Sequence, residues 1–409
     1  MGPPSLLVIG LNYTPEPVGI GPYTAGLCET LVQSGHRVTA IVGKPYYPQW
    51  QVDPAYAGGW LEAEQHGVRL VRCPHYVPQD PAGIRRFAHL ISFAITAMVP
   101  AVRIARRERP QVVFCVAPAL LSVITAILAA WLCGARLWIH IQDFEVETAF
   151  ATGLMRANSL HGRLALWAEG WLLRQADRVS TISPQMLSKL DAKGIPAGRR
   201  FELRNWADAR FARDPAGADE LRANWGLKDK VVALYSGNIA RKQGIEILID
   251  AARLLQHRKD IAFVICGEGP NRAPLAERAE SLDNVQLHDL QPVERMGAML
   301  TMADLHLLPQ IAGAADLVLP SKLTNMLASG RPVIATTDPG TGLHDEVAGC
   351  GICVPPGNAQ ALADAIVALA DDAPRRAVLG QAAASRAGER WQQEAILART
   401  ARELQALVR

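Results

Sequence analysis

Short hydrophobic runs rich in Val, Ile and Leu recur along the whole chain, and longer amphipathic segments separate them. This alternation is typical of parallel sheets whose strands are joined by crossover helices, so an α/β fold is expected. The pattern predicts strands over 6–10, 37–42, 68–72, 111–115, 137–141, 178–181, 231–235, 262–266, 285–288, 305–308 and 333–335.

A polar stretch interrupts this alternation between residues 203 and 230 and contains Asn205-Trp206-Ala207-Asp208. Because 409 residues are too many for one ordinary core, we place a domain boundary here. We predict two Rossmann-like domains, 1–205 and 206–387, which face each other across a cleft at the carboxyl ends of their strands. The amphipathic segment 388–409 is predicted to be a helix that packs back on the first domain.

The composition of the chain excludes some classes of protein. Apolar residues make up 49% and charged residues 20%, which excludes a disordered protein, and a net charge of +3 argues against a general nucleic-acid binder. Seven scattered cysteines and the lack of a secretory leader pattern favour the cytoplasm. Cys350 and Cys353 form a lone pair without nearby ligands, so we interpret them as a turn entering a strand.

The segment 235–244 carries the strongest chemical signal. It predicts a strand end, a Ser236-Gly237 step, two adjacent cations and a second glycine, Gly244, at the start of a helix. Glycines allow a ligand to approach the backbone, and a helix N-terminus favours anions, so Arg241 and Lys242 would lie beside a diphosphate. A nucleotide-sugar is the leading candidate ligand. The alternative is a surface loop with two solvated cations.

Two apolar segments bear on a membrane location. Segment 112–133 is divided by Pro118 and is predicted to be a strand, a turn and a buried helix rather than a membrane span. Segment 87–104 is apolar between basic ends, which suits either a helix on an anionic membrane surface or a core helix. The basic residues at and beyond the two ends of this segment are Arg85, Arg86, Arg103, Arg106 and Arg107.

Five motifs in order resemble those of glycosyltransferase family 4. They are Pro15-x-Pro17-x-Gly19-Ile20-Gly21, Asn205-Trp206-Ala207-Asp208, the loop 237–244, Gly267-Glu268-Gly269, and Pro320-Ser321-Lys322 leading to 328–334. The resemblance covers essentially the whole chain and implies the two-domain GT-B fold. The segments 140–145 and 320–325 are most similar to the bacterial exopolysaccharide enzymes of the colanic-acid fucosyltransferase type.

The resemblance implies that the second domain binds a nucleotide-sugar donor and the first domain binds the acceptor. Glu268 would contact hydroxyls, backbone groups at Asp289 and Leu290 would contact the base, and free amides with the Lys322 ammonium would bind the pyrophosphate. The implied donor residues are Gly19, Ile20, Gly21, Gly237, Asn238, Gly267, Glu268, Asp289, Leu290, Asp316, Ser321, Lys322, Leu323 and Asn325.

This chain departs from the family pattern at three places. The second of two glutamates spaced along the family's donor site falls on Asn325, and the first falls on Leu317 with Asp316 beside it. A histidine of many members is Gln142 here. The usual loop lysine is Gln243, with Lys242 one position earlier.

For the chemistry, the resemblance implies a retaining transfer. No Asp-x-Asp triplet occurs, so we expect no metal and no other cofactor; Arg241, Lys242 and Lys322 would stabilise the leaving diphosphate. Asp143 would orient the acceptor or sugar hydroxyls, with Gln142 and Glu145 beside it. The run Asp143-x-Glu145-x-Glu147 is alternatively a metal site or a helix-start cap cluster.

The resemblance further implies a GDP- or UDP-linked donor, with fucose favoured by the subgroup, and a polyprenyl-diphosphate-linked saccharide acceptor at the inner face of the cytoplasmic membrane. Two other functions stay open. One is a GT-B epimerase that acts on the donor alone, and the other is a non-catalytic nucleotide-sugar-binding protein. A nicotinamide-linked dehydrogenase is disfavoured, because neither half has Gly-x-Gly-x-x-Gly after its first strand.

Overall fold

The computed structural model describes residues 2–17, 19–79, 83–117, 120–151, 159–240, 243–311 and 320–408. The chain divides into two compact units. Unit 1 comprises residues 1–205 together with 394–409, and unit 2 comprises residues 206–393. The first division falls after Asn205, where the polar stretch begins.

Unit 1 is built on an eight-stranded sheet in the order β3-β4-β2-β1-β5-β6-β7-β8. Its strands are β1 Leu6–Gly10, β2 Val38–Gly43, β3 Leu61–Gln65, β4 Val68–Cys73, β5 Val112–Ala117, β6 Arg136–Ile141, β7 Arg178–Thr181 and β8 Arg200–Glu202. Strands β3 and β4 pair antiparallel, and the other neighbours pair parallel. Every residue of β1 is buried, as expected for a strand covered by helices on both faces.

The helices of unit 1 that precede residue 205 connect these strands. They are α1 Gly21–Gln33, α2 Gly83–Glu108, α3 Leu120–Cys133, α4 Glu145–Ala151, α5 Leu160–Arg174 and α6 Pro184–Ala192. The chain adds β2 and then β4 on one side of β1, and β5 to β8 on the other side. The topological switch therefore lies between β1 and β5, and the loops at the carboxyl ends of these strands are the expected place for a ligand.

Unit 2 is built on a six-stranded parallel sheet in the order β11-β10-β9-β12-β13-β14. Its strands are β9 Val231–Ser236, β10 Ile261–Cys266, β11 Val285–His288, β12 Leu305–Leu308, β13 Val333–Thr336 and β14 Gly351–Val354. The strand order reverses between β9 and β12, which gives unit 2 its own switch point.

The helices of unit 2 cover both faces of its sheet. They are α7 Pro215–Asn224, α8 Glu246–Leu254, α9 Arg272–Ala279, α10 Met296–Met302, α11 Lys322–Ala328, α12 Gly342–Val347, α13 Ala359–Ala370 and α14 Ala373–Arg390. Alternate residues of β10 enter two different apolar clusters: Phe263 packs with Ile249 of α8, and Val264 packs with Leu221 of α7. The period of two along a strand explains this division of one hydrophobic run.

The last helix does not begin at residue 388, as was predicted. Residues 388–390 end α14, and the last helix, α15 Gln393–Val408, belongs almost entirely to unit 1. Trp391 causes the break, because its buried ring and its carbonyl, which accepts from the Ala207 amide at 3.0 Å, hold it in unit 2. On unit 1, Arg399 of α15 donates to the Glu202 carbonyl at 2.6 Å and lies over the Phe201 ring.

Candidate functional site

The loops that follow β9 and β10 meet through glycine backbone. The Gly237 amide donates to the Cys266 carbonyl at 2.9 Å, and the Gly267 amide donates to the His288 carbonyl at 3.1 Å. A Cβ placed on Gly267 would lie 1.9 Å from the Gly237 carbonyl oxygen. The close approach of the two loops at the carboxyl edge of the sheet therefore requires glycine at position 267.

The next residues extend this contact. The Ile239 amide donates to the Glu268 carbonyl at 2.8 Å, and a Cβ on Gly269 would lie 2.5 Å from the Asn238 side-chain oxygen. The Glu268 carboxylate points to solvent, with the Arg272 guanidinium 3.6 Å away. Thus the structure brings the predicted Gly237, Asn238, Gly267 and Glu268 together at one edge of unit 2.

Lys322, the first residue of α11, reaches the same edge. Its Nζ donates to the Tyr235 hydroxyl at 3.0 Å and lies 4.1 Å from the centre of that ring. The Tyr235 hydroxyl in turn donates to the Asn238 carbonyl at 2.7 Å, which fixes the ring. Burial lowers the pKa of Lys322 to about 7. The pKa of a lysine buried in this way rises again when an anion approaches it.

Gly237 leaves the Lys322 ammonium room at this place. A Cβ on Gly237 would lie 3.2 Å from Lys322 Nζ, and the residue has a φ of 135°. Sequence analysis singled out Gly237 and Lys322 separately but did not identify Tyr235 as the residue that links them. The only signal in the sequence was that Tyr235 ends the buried strand before the Ser-Gly step.

Two residues of α11 that were predicted to bind the sugar donor make hydrogen bonds within the protein. The side chain of Leu323 is buried and its amide donates to the Pro320 carbonyl at 3.0 Å, so the prediction of a free amide at Leu323 is wrong. The Asn325 side-chain oxygen accepts from the Asp208 amide at 2.9 Å. An asparagine at this position thus ties α11 to the backbone of Asp208 through that oxygen. The exposed Ser321 directly precedes α11.

The end of β11 carries the predicted base-binding residues Asp289 and Leu290, and both are exposed. Arg272 donates to the Asp289 carboxylate, so one guanidinium lies beside the acids that follow β10 and β11. His288 stacks on Trp225 with ring centres 3.8 Å apart. Arg241, Lys242 and Asp316 lie outside the described residues, and their predicted roles stay predictions.

In unit 1, a buried carboxylate holds the loop after β1 against the loop after β2. Glu16 accepts from the amides of Tyr46 and Tyr47, each at 3.1 Å, and from the Asn12 side-chain amide at 2.9 Å. Burial raises the pKa of Glu16. Sequence analysis missed this residue, whose only signal was an acid between Pro15 and Pro17 in a predicted loop.

The predicted turn Gly19-Ile20-Gly21 leads directly into α1, which begins at Gly21 with Ile20 as its N-cap residue. Gly19 has a φ of 78°, a value that favours glycine, and its Cβ position lies 3.5 Å from the Tyr47 ring. A Cβ on Gly21 would lie 3.1 Å from the Tyr13 carbonyl. The turn is therefore packed against the loops that Glu16 joins.

An aromatic pocket lies at the carboxyl ends of β2 and β4. Tyr46 contacts Trp50, His75 and His89 edge to face, with ring centres 4.7–5.4 Å apart. Trp50 has a φ of 53°, an uncommon value for a tryptophan. The pocket has a volume of about 370 Å³ and is lined by Gln49, Trp50, Gln51, Val52, Val77 and Gln79. An indole beside three side-chain amides suits a ligand rich in hydroxyl groups.

Sequence analysis did not identify this pocket. Its signal was the aromatic and amide run Tyr46-Tyr47-Pro48-Gln49-Trp50-Gln51, which follows a predicted strand. The partners from the end of β4 are distant in sequence, so the run alone does not distinguish a pocket from an exposed loop.

Gln142, which was predicted to lie beside Asp143 at the acceptor, has its side chain buried in a hydrogen-bond chain, and its contact with the acceptor stays a prediction. The side-chain amides of Gln142 and Asn205 each donate one hydrogen bond of 2.9 Å to the oxygen of the other, and Gln142 Nε2 also lies 2.9 Å from His140 Nε2. His140 Nδ1 bonds Ser180 Oγ at 2.9 Å, and burial lowers the pKa of His140 to about 3. The neutral histidine and Gln142 thus fix the segment that ends unit 1.

The acidic run after β6 starts a helix. Asp143 is half-buried just before α4, and Glu145 and Glu147 lie in the first turn of α4. Lys193 donates to Glu147 at 2.6 Å and also to the buried Glu169, whose pKa burial raises to about 7. Among the described residues no group of three or more acids, histidines and cysteines is arranged to hold a metal. Within that range the arrangement favours the helix-start interpretation over the metal site.

The basic helix α2 is a core helix, which is one of the two alternatives proposed for it. Phe93, Ala97 and Ile104 are buried, and α2 packs along α3, so it is a core helix. Its predicted basic residues are all exposed: Arg85, Arg86, Arg103, Arg106 and Arg107. By length and hydropathy α2 also matches a membrane span, but its buried side chains and its contact with α3 belong to the fold of unit 1.

Comparison with known proteins bears on both units. The family described as "Glycosyl transferase 4-like domain" matches residues 18–206, and that described as "Glycosyl transferases group 1" matches residues 218–386. WcaI of Escherichia coli (strain K12), named for glycosyl transfer in colanic acid biosynthesis, is 40% identical over 87% of this chain and 90% of its own length.

One further relative and one solved structure extend the comparison. The alpha-D-kanosaminyltransferase of Streptomyces kanamyceticus is 32% identical over 54% of this chain and 58% of its own length. The crystal structure of Anabaena Alr3699/HepE in complex with UDP covers 98% of this chain and 100% of its own, with a TM-score of 0.72 and 16% identity. Its likeness confirms the GT-B fold of two Rossmann-like domains.

Proposed function

This chain belongs to the group 1 glycosyltransferases with a family 4-like first domain, and from that premise we propose its reaction. It transfers a hexose from a nucleoside-diphosphate sugar to a lipid-linked saccharide in the synthesis of an exopolysaccharide of the colanic-acid type. The name of WcaI supports the pathway, and the UDP-glucose complex of HepE supports a nucleotide-sugar donor. Fucose carried by GDP is the donor that the subgroup favours.

The observation that carries this proposal is the Lys322 site at the carboxyl edge of unit 2. An ammonium with a pKa near 7 lies against the Tyr235 ring, beside glycines that permit close approach to the backbone. A diphosphate placed there raises the pKa of Lys322, and the fully charged ammonium stabilises the negative charge that develops on the leaving group. The proposal includes retention at the anomeric carbon and no metal ion, with Asp143 orienting the attacking hydroxyl.

The acceptor saccharide is proposed to bind the aromatic pocket of unit 1. Sugars bind proteins by stacking a ring face on an aromatic side chain and by donating and accepting hydrogen bonds through hydroxyls. Trp50 supplies the aromatic face, and Gln49, Gln51 and Gln79 supply amides. The polyprenyl diphosphate of the acceptor lies in the inner leaflet of the cytoplasmic membrane, where the exposed arginines of α2 meet anionic lipid.

Product analysis tests this function. Purified protein is incubated with UDP- and GDP-linked sugars, with and without a polyprenyl-diphosphate-linked saccharide and a metal chelator. We expect release of nucleoside diphosphate that depends on the acceptor, that persists with chelator, and that gives a product with the donor's anomeric configuration. Conversion of the donor without acceptor would instead favour the epimerase, and binding without turnover of any pair would favour the non-catalytic protein.

Replacement of Trp50 tests the acceptor pocket. Trp50→Ala is expected to raise KM for the saccharide about tenfold, the loss of one ring-stacking contact, and to leave donor affinity unchanged. Steady-state kinetics with a water-soluble acceptor analogue and calorimetry with the donor measure the two quantities. Trp60→Ala is the matched control, because Trp60 is an exposed tryptophan of unit 1 outside the pocket. Equal KM values for both variants and the wild type would reject the pocket.

A further inference from the structure

Three helices of unit 1 expose large apolar side chains to solvent. The most exposed include Ile84 of α2 at 83%, Trp131 of α3 at 77% and Leu160 of α5 at 79%. Ten such residues lie on these helices: Ile84, Phe87, Ile95, Val99, Ile124, Trp131, Leu160, Leu164, Trp167 and Trp171. Soluble monomers rarely expose so many large apolar side chains on neighbouring elements, and exposed apolar patches generally mark interaction sites.

On α5 the exposed apolar residues form a stripe. Leu160, Leu164, Trp167 and Trp171 recur at spacings of four, three and four residues and therefore share one face of the helix. The stripe is about 17 Å long at the rise of an α-helix. The opposite face of α5 holds its buried residues, which include Leu172 and Leu173. Sequence analysis assigned no function to α5.

The three helices lie side by side on unit 1. Helix α3 packs against both α2 and α5. The crossovers from β4 to β5, from β5 to β6 and from β6 to β7 all run in the same direction across the sheet, and right-handed crossovers then put their helices on one face. Helix α3 contains no charged residue. We call the ten exposed residues, on these three helices, the apolar face.

We propose that the apolar face enters the headgroup and upper acyl region of an anionic bilayer, with the α3 and α5 tryptophans at the interface. Tryptophan is the residue that prefers this depth, where its ring is apolar and its N–H stays hydrated. Basic side chains accompany the face: Arg85 and Arg86 at the start of α2, Arg103 and Arg106 near its end, and Arg163 on α5. Their charge complements anionic headgroups.

The same charges disfavour a second copy of this chain as the partner. A two-fold interface would place the arginine-rich α2 and α5 surfaces of one copy against those of the other, which is repulsive. The inference deepens the proposed function and rests on it only for the choice of membrane. Insertion of the apolar face adds a hydrophobic contribution to membrane binding. If the α2 arginines acted alone, high salt would release the protein from the membrane, whereas inserted Trp167 and Trp171 would retain it.

Vesicle co-sedimentation of the full chain tests the inference without donor or acceptor. The wild type is expected to bind vesicles of phosphatidylcholine with phosphatidylglycerol and to stay partly bound in high salt. W167S/W171S is expected to bind about tenfold more weakly at low salt and to be released by high salt, because the arginines then act alone. Val378→Ser is the matched control, since Val378 is as exposed but lies on α14 of unit 2.

Three results would overturn the inference. They are failure of the wild type to bind these vesicles, equal binding and salt resistance of W167S/W171S and wild type, and loss of self-association rather than vesicle binding in light scattering. Thermal unfolding of the variant verifies that it is folded. Glycosyl transfer to a water-soluble acceptor is measured in parallel, so that failure of the proposed reaction is distinguished from failure of membrane insertion.

Discussion

Donor affinity is expected to fall about tenfold for each pH unit above 7, because binding requires one proton on Lys322. Burial lowers the pKa of Lys322 to about 7 in the free protein, and a bound diphosphate raises it again. Below this pKa the ammonium is already charged, so affinity is highest and independent of pH. Above it binding takes up a proton, and affinity declines until the pKa of the complex is passed.

Calorimetry with a nucleotide-sugar across this range measures the effect, and buffers of different ionisation enthalpy report the proton uptake. Lys322→Arg is the matched control, because a guanidinium stays charged at all these pH values and removes the slope. Lys322→Met is expected to bind weakly at every pH, near the level of the wild type at high pH. A wild-type affinity that does not change above pH 7 would show that Lys322 does not meet the diphosphate.

Gly267→Ala is expected to destabilise unit 2 by about 2–3 kcal/mol and to lower its Tm by roughly 5–10 °C. The added Cβ would lie 1.9 Å from the Gly237 carbonyl oxygen, so the β9 and β10 loops must separate. Since Gly237 lies beside the Lys322 ammonium, donor affinity is expected to fall as well.

Differential scanning calorimetry measures this loss. Gly388→Ala serves as its control, because Gly388 is an exposed position of α14 with no atom within 4 Å of the added Cβ. Alanine there is expected to be neutral or to stabilise by up to about 1 kcal/mol, as in any exposed helix interior. A Gly267→Ala protein as stable as Gly388→Ala would mean that the two loops do not approach as closely as described.

Asn325, which stands where many family members have their second glutamate, makes a hydrogen bond within unit 2. The Asn325 oxygen accepts from the Asp208 amide, so the residue holds the segment that follows the unit boundary. A neutral side chain here also leaves α11 without an acid, so no carboxylate on this helix competes with the diphosphate that we propose to bind at Lys322. The sequence identified the position as a departure, and its hydrogen bond required coordinates.

The amino-acid sequence by itself determined the strands of both sheets that are buried on both faces. Strands β1 and β12 have the predicted bounds and are buried throughout, because apolar runs are needed wherever helices cover both sides. Strand β3 was missed since it lies at an edge and is largely exposed, and its sequence Leu-Glu-Ala-Glu-Gln carries no such run. The glycine motifs also predicted where loops approach each other closely, because close backbone approach excludes residues with a Cβ atom.

Only the tertiary structure decided which side chains act together. The Tyr235–Lys322 contact joins residues 87 positions apart, and the Glu16, Gln142 and Lys193 interactions also join separate segments. The apolar face likewise depends on where three helices lie, because the periodicity of α5 predicts an apolar stripe but not whether the fold covers it. Local pattern encodes burial and backbone freedom, whereas charge, pKa and exposure depend on neighbours that folding supplies.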